Sequence, residues 1–208
     1  MDNYVITIAR GFGSGGKEIG TKLGERLGIP CYENQILDMA SEQSGIGKHL
    51  FAEVDEKIKG KRIARLLKIN PIEKLAKPSE KAFTSDNNLY NIQCEIIKEL
   101  AKTESCIIIG KCADYVLKDF DNVISIYIEA PRKNCVESIM KKLQVSEPEA
   151  HELISKIDKY RADYYEYYTR GGYWTNPVNY DLTLNSARVG REKCVDVIED
   201  YLKIRFDL

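Results

Sequence analysis

Residues 4–20 decide the fold of this chain, and they read YVITIARGFGSGGKEIG. The first six of these residues are mostly β-branched or aromatic and predict a buried strand. A glycine-rich loop comes next, and beyond it Ile19, Leu23 and Leu27 recur at the spacing of one helix face. The chain therefore opens as a strand, a glycine loop and a helix.

The alternation of strand and helix continues along the chain. Buried-type strands are predicted at Cys106–Ile109, Val123–Ile128 and Tyr180–Leu184, with a short one at Cys31–Tyr32. Helical patterns follow the three longer strands. This order is typical of a parallel sheet covered on both faces. The sequence predicts an α/β fold of three layers, in which a five-stranded parallel sheet is flanked by helices.

The length of 208 residues favours a single domain with lobes over 1–208. Its core is expected to comprise 1–33, 104–145 and 175–208. Residues 34–103 have mostly helical patterns and predict an inserted lobe, and basic residues outnumber acidic ones between 48 and 86. A lid is expected over 146–174, because a capping box begins a long helix there and two glycines end it.

The composition excludes several classes of function. The 31 basic and 32 acidic residues give a net charge of -1, which argues against binding nucleic acid through global charge. No apolar run approaches the length of a membrane span. The six cysteines form no C-x-x-C pair, so we expect reduced thiols and no structural zinc. A cytoplasmic location is the expectation.

The glycine loop fits a phosphate-binding pattern. Gly11 to Lys17 match the first seven positions of G-x-x-x-x-G-K-[ST], in which backbone N–H groups surround phosphate oxygens and the lysine reaches the terminal phosphates. The loop also follows a strand and opens a helix, which is the context that this motif requires. The residues predicted to bind nucleotide phosphates are Gly11, Gly13, Ser14, Gly15, Gly16 and Lys17.

Glu18 departs from this pattern, because it stands where the motif has Ser or Thr. The hydroxyl that normally meets Mg²⁺ is therefore missing. A carboxylate can hold Mg²⁺ directly or through water, and Glu18 is the candidate metal ligand. The alternative is that Glu18 only places a favourable negative charge at the helix N-terminus.

Five segments in order resemble the cytidylate kinase-like family, bacterial P-loop proteins related to nucleoside monophosphate kinases. They are Ile8–Gly20, Cys31–Leu37, Ile107–Leu117, Ile157–Arg161 and Tyr180–Asn185. The resemblance implies a core sheet, an acceptor-binding helical insertion and a lid. It also implies ATP and Mg²⁺ as cofactors and phosphoryl transfer to a nucleoside monophosphate, with CMP or dCMP expected.

The resemblance assigns roles to individual residues. Lys17, Arg161 and Arg170 are the expected catalytic residues. Glu18 and Arg132 are expected to bind ATP-Mg²⁺ beside the loop. Arg10, Lys111, Asp114 and Asp158 are the expected acceptor contacts.

Two positions depart from the family pattern. Lys111 replaces the arginine of a Gly-Arg pair, so a point charge replaces a bidentate fork. Cys135 stands where family members often have arginine, although Arg132 lies nearby.

Each of these assignments has a simpler alternative. Lys111 would then be a surface charge, and Asp114 would cap the helix that follows it. Arg161 would pair with Asp158, one helical turn away, to hold the lid helix. The alternative functions for the whole chain are a nucleotide-binding regulator with little turnover and a P-loop kinase that acts on another small acceptor.

The lid helix also carries a tyrosine-rich face, defined as Tyr160, Tyr164, Tyr167 and Tyr168. Packing against the body of the protein is the favoured interpretation of this face. Contact with a second copy, giving a homodimer, is the alternative.

Overall fold

The computed structural model describes residues 3–56 and 85–207. The strands are β1 (Val5–Arg10), β2 (Cys31–Tyr32), β3 (Cys106–Ile109), β4 (Val123–Glu129) and β5 (Leu182–Asn185). The helices are α1 (Gly16–Leu27), α2 (Gln35–Ser44), α3 (Lys48–Glu56), α4 (Asp86–Thr103), α5 (Ala113–Val116), α6 (Arg132–Leu143), α7 (Glu147–Tyr168), α8 (Ser186–Val189) and α9 (Arg191–Phe206). Part of the predicted insertion, including most of its basic stretch, lies outside the described residues.

All five strands are parallel and follow the order β2-β3-β1-β4-β5. The first strand is central, because Ile6 pairs with Ile107 of β3 on one side and with Ile124 of β4 on the other. The carboxyl ends of these strands meet at one edge of the sheet, where the glycine loop leaves β1. The predicted five-stranded α/β fold is confirmed.

Alternating side chains of the sheet form two hydrophobic cores. Ile6 and Ile8 pack with Ile19 of α1 and Ile198 of α9 on one face. On the other face, Val5 and its neighbours pack with α2, α4 and α7. Both faces of the strands are therefore buried, which explains why they are almost continuously apolar in sequence.

The long helix α7 begins and ends where the sequence predicts. The capping box between Ser146 and Glu149 is formed, and the chain leaves the helix through Gly171 at φ +108°. Glycine suits this left-handed conformation because it has no Cβ.

The tyrosine-rich face of α7 packs within the molecule. Tyr168 is fully buried, and its ring stacks on Tyr90 of α4 at 3.6 Å between centroids. Tyr164 is buried beside it, and the Tyr167 hydroxyl donates to Asn87. The prediction that the tyrosine-rich face packs against the body of the protein is confirmed. Because these side chains are used within the molecule, they give no support to a homodimer, and the homodimer stays an untested prediction.

The described helices include none that is both long and apolar enough to cross a bilayer. All six cysteines are free thiols.

Candidate active site

The loop from Gly11 to Gly16 curls back on itself between β1 and α1. The backbone N–H and the hydroxyl of Ser14 both donate to the Gly11 carbonyl oxygen, at 3.3 and 2.8 Å. Ser186 then donates to the Ser14 carbonyl oxygen at 2.6 Å, which fixes the loop to α8. The loop is therefore held in shape from within and from the neighbouring strand end.

Glycine is required at the turns of this loop. Gly13 has φ +93°, and a Cβ there would lie 2.7 Å from the Cys135 carbonyl oxygen. Gly15 has φ +87° and lies against the Arg191 guanidinium. The loop precedes the N-terminus of α1, so its free backbone N–H groups and the helix dipole favour an anion there.

Lys17 and Arg10 share one carboxylate. Glu33, directly after β2, accepts from Lys17 Nζ at 2.5 Å and from Arg10 Nη2 at 2.8 Å. Burial alone would raise the pKa of Glu33, but the two cations outweigh it and lower that pKa. Burial lowers the pKa of Arg10, against the attraction of Glu33. The lysine of the loop is thus joined to the carboxyl end of β2.

Glu18 has different partners. Its carboxylate accepts from Arg191 Nη1 at 2.5 Å and lies 3.7 Å from Lys22 Nζ. Arg191 also donates to Ser138, which ties the start of α9 to α6. Glu18 therefore pairs with Arg191 and Lys22, whereas Lys17 pairs with Glu33.

A pocket of about 220 Å³ opens at this edge of the sheet. Its charged lining combines three cations and two carboxylates: Arg10, Glu33, Lys111, Asp114 and Arg161. Its aromatic wall consists of Tyr160, Tyr164, Tyr165 and Trp174. Because Glu33 contacts Lys17, the pocket adjoins the lysine of the phosphate-binding loop.

Helix α7 is fastened to the loop by the Asp158–Arg161 pair. Asp158 accepts from the Phe12 backbone N–H at 2.8 Å, and Arg161 donates to the Arg10 carbonyl oxygen at 2.9 Å. Burial and the nearby Arg10 lower the pKa of Arg161 to about 10. Asp158 and Arg161 themselves lie 3.5 Å apart. Arg161 therefore holds the helix and also lines the pocket.

Asp114 is a buried carboxyl in the pocket lining. Its carboxylate accepts from the Tyr165 hydroxyl at 2.8 Å. Burial raises its pKa to about 6, against the effect of that hydrogen bond. The predicted acceptor contacts Arg10, Lys111 and Asp114 are thus brought together.

Asp158, a predicted acceptor contact, is not part of the pocket lining, and neither are Arg132 and Arg170. Arg132 donates to the His151 carbonyl oxygen at 2.5 Å and to Ser155 at 2.7 Å, so it joins α6 to α7. Arg170 is exposed beyond the end of α7 and has φ +59°. It lies nine positions beyond Arg161 along mostly helical chain, roughly 13 Å at 1.5 Å per residue. Its catalytic role stays a prediction.

Three residues beside the loop were not singled out from the sequence: Glu33, Glu129 and Arg191. Glu33 and Glu129 occupy the carboxyl ends of β2 and β4, which was the available signal, because strand ends surround the ligand in open parallel sheets. Arg191 gave no such signal, because its approach to Gly15 depends on the packing of α9.

Comparison with solved structures identifies the fold class of the protein. A shikimate kinase from Bacteroides thetaiotaomicron superposes with a TM-score of 0.51, at 11% identity over 96% of this chain and 98% of that one. An uncharacterized protein from Eubacterium ventriosum gives 0.71 at 24% identity, over 97% and 99% of the two chains. The fold is that of the P-loop kinases.

A model of the cytidylate kinase-like family matches residues 5–188, so the chain belongs to that family. This membership implies nucleotide binding in general terms. No curated protein matches the sequence.

Proposed function

We propose that the protein transfers a phosphoryl group from ATP, with Mg²⁺, to a nucleoside monophosphate, and that CMP or dCMP is its preferred acceptor. The observation that supports this is the junction of loop and pocket. Lys17 of the loop and Arg10 of the pocket share Glu33, so donor and acceptor phosphates bound by these cations would lie next to each other.

The protein's part in such a reaction is positioning and charge neutralisation, because phosphoryl transfer needs little covalent help from the enzyme. The loop would hold the phosphates of ATP, and Lys17 would reach the terminal one. Arg10, Lys111 and Arg161 would neutralise the acceptor phosphate and the charge that develops during transfer. Mg²⁺ would neutralise phosphate charge on the donor.

The aromatic wall and Asp114 favour a cytosine base as part of the acceptor. The aromatic wall offers stacking surfaces, and the Asp114 carboxylate accepts hydrogen bonds. The amino group of cytosine would donate to this carboxylate, whereas the corresponding carbonyl of uracil would be repelled by it.

The test is a panel of nucleoside monophosphates with ATP and Mg²⁺, read by ADP release. CMP or dCMP should give the highest kcat/KM. The acceptor assignment is wrong if UMP, AMP and GMP all react faster than both cytidine nucleotides.

A second candidate is a kinase for another small acceptor. The pocket combines two carboxylates with three cations, which suits a hydroxylated acceptor as well as a monophosphate. Polyols and hydroxy acids therefore belong in the same panel. ATP binding without turnover on any member would instead support a nucleotide-binding regulator.

A further inference from the structure

Among residues 3–56 and 85–207, four carboxylates lie around the glycine loop, and each has partners. They are Glu18, Glu33, Glu129 and Asp158. Magnesium prefers oxygen ligands and usually takes one or two carboxylates together with phosphates and water. The question is which carboxylate is available when ATP occupies the loop.

Two of them have partners other than the lysine that the motif assigns to the terminal phosphates. Glu18 is held by Arg191 and Lys22. Glu129 accepts from the Tyr127 hydroxyl at 2.7 Å and from the Ala130 backbone at 2.9 Å, with Gly11 packed against it.

Asp158 is likewise retained by the loop itself, through the Phe12 N–H, and by Arg161. Both contacts fasten α7 to the loop. Turning this carboxylate toward a phosphate would break the attachment of the helix.

Glu33 differs, because one of its two partners is the lysine that a nucleotide would remove. Lys17 lies in the first turn of α1, directly after the loop, and its side chain is 60% exposed, so it has room to turn from Glu33 toward the terminal phosphates. One oxygen of Glu33 then loses its cation, while the other keeps Arg10. The freed oxygen is left beside a triphosphate.

Two like charges at about 4–6 Å disfavour each other, and a divalent cation between them reverses the effect. We propose that Glu33, and not Glu18, is the protein ligand of the Mg²⁺ that accompanies ATP. This inference rests on the proposed ATP binding at the glycine loop. Glu33 lines the open pocket, so water can complete the octahedral shell of the metal.

The test measures ATP affinity by calorimetry with and without Mg²⁺ in the parent, Glu33→Gln, Glu33→Asp and Glu18→Gln proteins. The parent should bind ATP at least tenfold more tightly with Mg²⁺. Glu33→Gln should bind metal-free ATP more tightly than the parent and gain less than threefold from Mg²⁺. Glu33→Asp and Glu18→Gln should keep most of the parent's metal dependence.

Electron paramagnetic resonance of Mn²⁺ with a non-hydrolysable ATP analogue gives a readout that needs no turnover. Glu33→Gln should leave more Mn²⁺ free than the parent, and Glu18→Gln should not. The inference is overturned if Glu33→Gln retains the parent's metal dependence, or if Glu18→Gln loses it. Failure of the parent to bind ATP under either condition would instead overturn the proposed function.

Discussion

Lys17 projects from the first turn of α1, and its side chain is 60% exposed. Removing it should therefore cost little stability, because ion pairs this exposed contribute about 0–1 kcal/mol. It should cost much binding, because the lysine is the only side-chain cation of the motif that reaches the terminal phosphates. We expect Lys17→Ala to weaken ATP binding more than tenfold by calorimetry, with an unchanged melting temperature.

Lys22→Ala is the matched control, since Lys22 lies on the same helix and pairs with Glu18 and Glu192. It should bind ATP as the parent does. Equal affinities of all three proteins would remove Lys17 from the phosphate site.

Asp114 predicts a pH dependence of stability. Burial raises its pKa from 3.8 to about 6, so the folded protein keeps this proton while the unfolded chain loses it. The stability that the folded protein gains by binding this proton more tightly is therefore fully present below pH 4. It falls as the pH rises toward 6 and is lost above that. The change corresponds to roughly 3 kcal/mol.

Asp114→Asn has no proton to lose and keeps an oxygen for the Tyr165 hydroxyl. Urea unfolding should show that the free energy of unfolding falls by a few kcal/mol from pH 4 to pH 7 in the parent, and by less in Asp114→Asn. Asp119→Asn, an exposed neighbour, should keep the parent's slope. A parallel response of Asp114→Asn and parent would show that Asp114 ionises as freely in the folded protein as in the unfolded one.

At the scale of elements, α7 is held to α4 by aromatic stacking. Tyr168 is fully buried on Tyr90. Tyr168→Ala should lower the free energy of unfolding by about 3–5 kcal/mol, by analogy with buried aromatic truncations. Tyr167→Ala, at a half-buried position, should cost clearly less. Similar losses in both variants would contradict the importance of the stack.

The same helix delivers Arg161 to the pocket, and kinetics would separate the proposed catalytic role of Arg161 from its structural role. Arg161→Ala should lower kcat more than tenfold with a smaller change in the KM for ATP, because its charge matters most as phosphoryl charge develops. Lys159→Ala, an exposed position on the same helix, should react as the parent does. An unchanged kcat would leave Arg161 as the residue that fastens α7 to Arg10.

The elements themselves could be predicted well, and the side-chain partners less so. The starts of α6 and α7 follow from a proline and a capping box that act locally. The partner of Lys17 could not be predicted, because Glu33 reaches it only once β2 and β1 lie in one sheet. Arg132 is predicted to bind ATP, whereas in the structure its guanidinium donates to the His151 carbonyl oxygen. The partner of such a long side chain depends on tertiary packing, which the sequence alone does not give.

For the whole molecule, the sheet order explains why residues far apart in sequence form one site. Glu33, Asp114 and Arg161 belong to segments that follow β2, follow β3 and lie beyond β4. In a parallel sheet the carboxyl ends of these strands meet at one edge, which is where such folds bind ligands. The family model likewise extends over nearly the whole chain, from 5 to 188.

The central place of β1 has a consequence for the making of the protein. Of the strands that the structure describes, β1 is synthesised first, and both of its partners begin about a hundred residues later. At roughly 5–20 residues per second, this apolar strand waits about 5–20 seconds before a neighbour emerges. We therefore expect α1, or a chaperone, to cover its apolar side chains during translation. On refolding from denaturant, the closure of this long loop should come late and slowly.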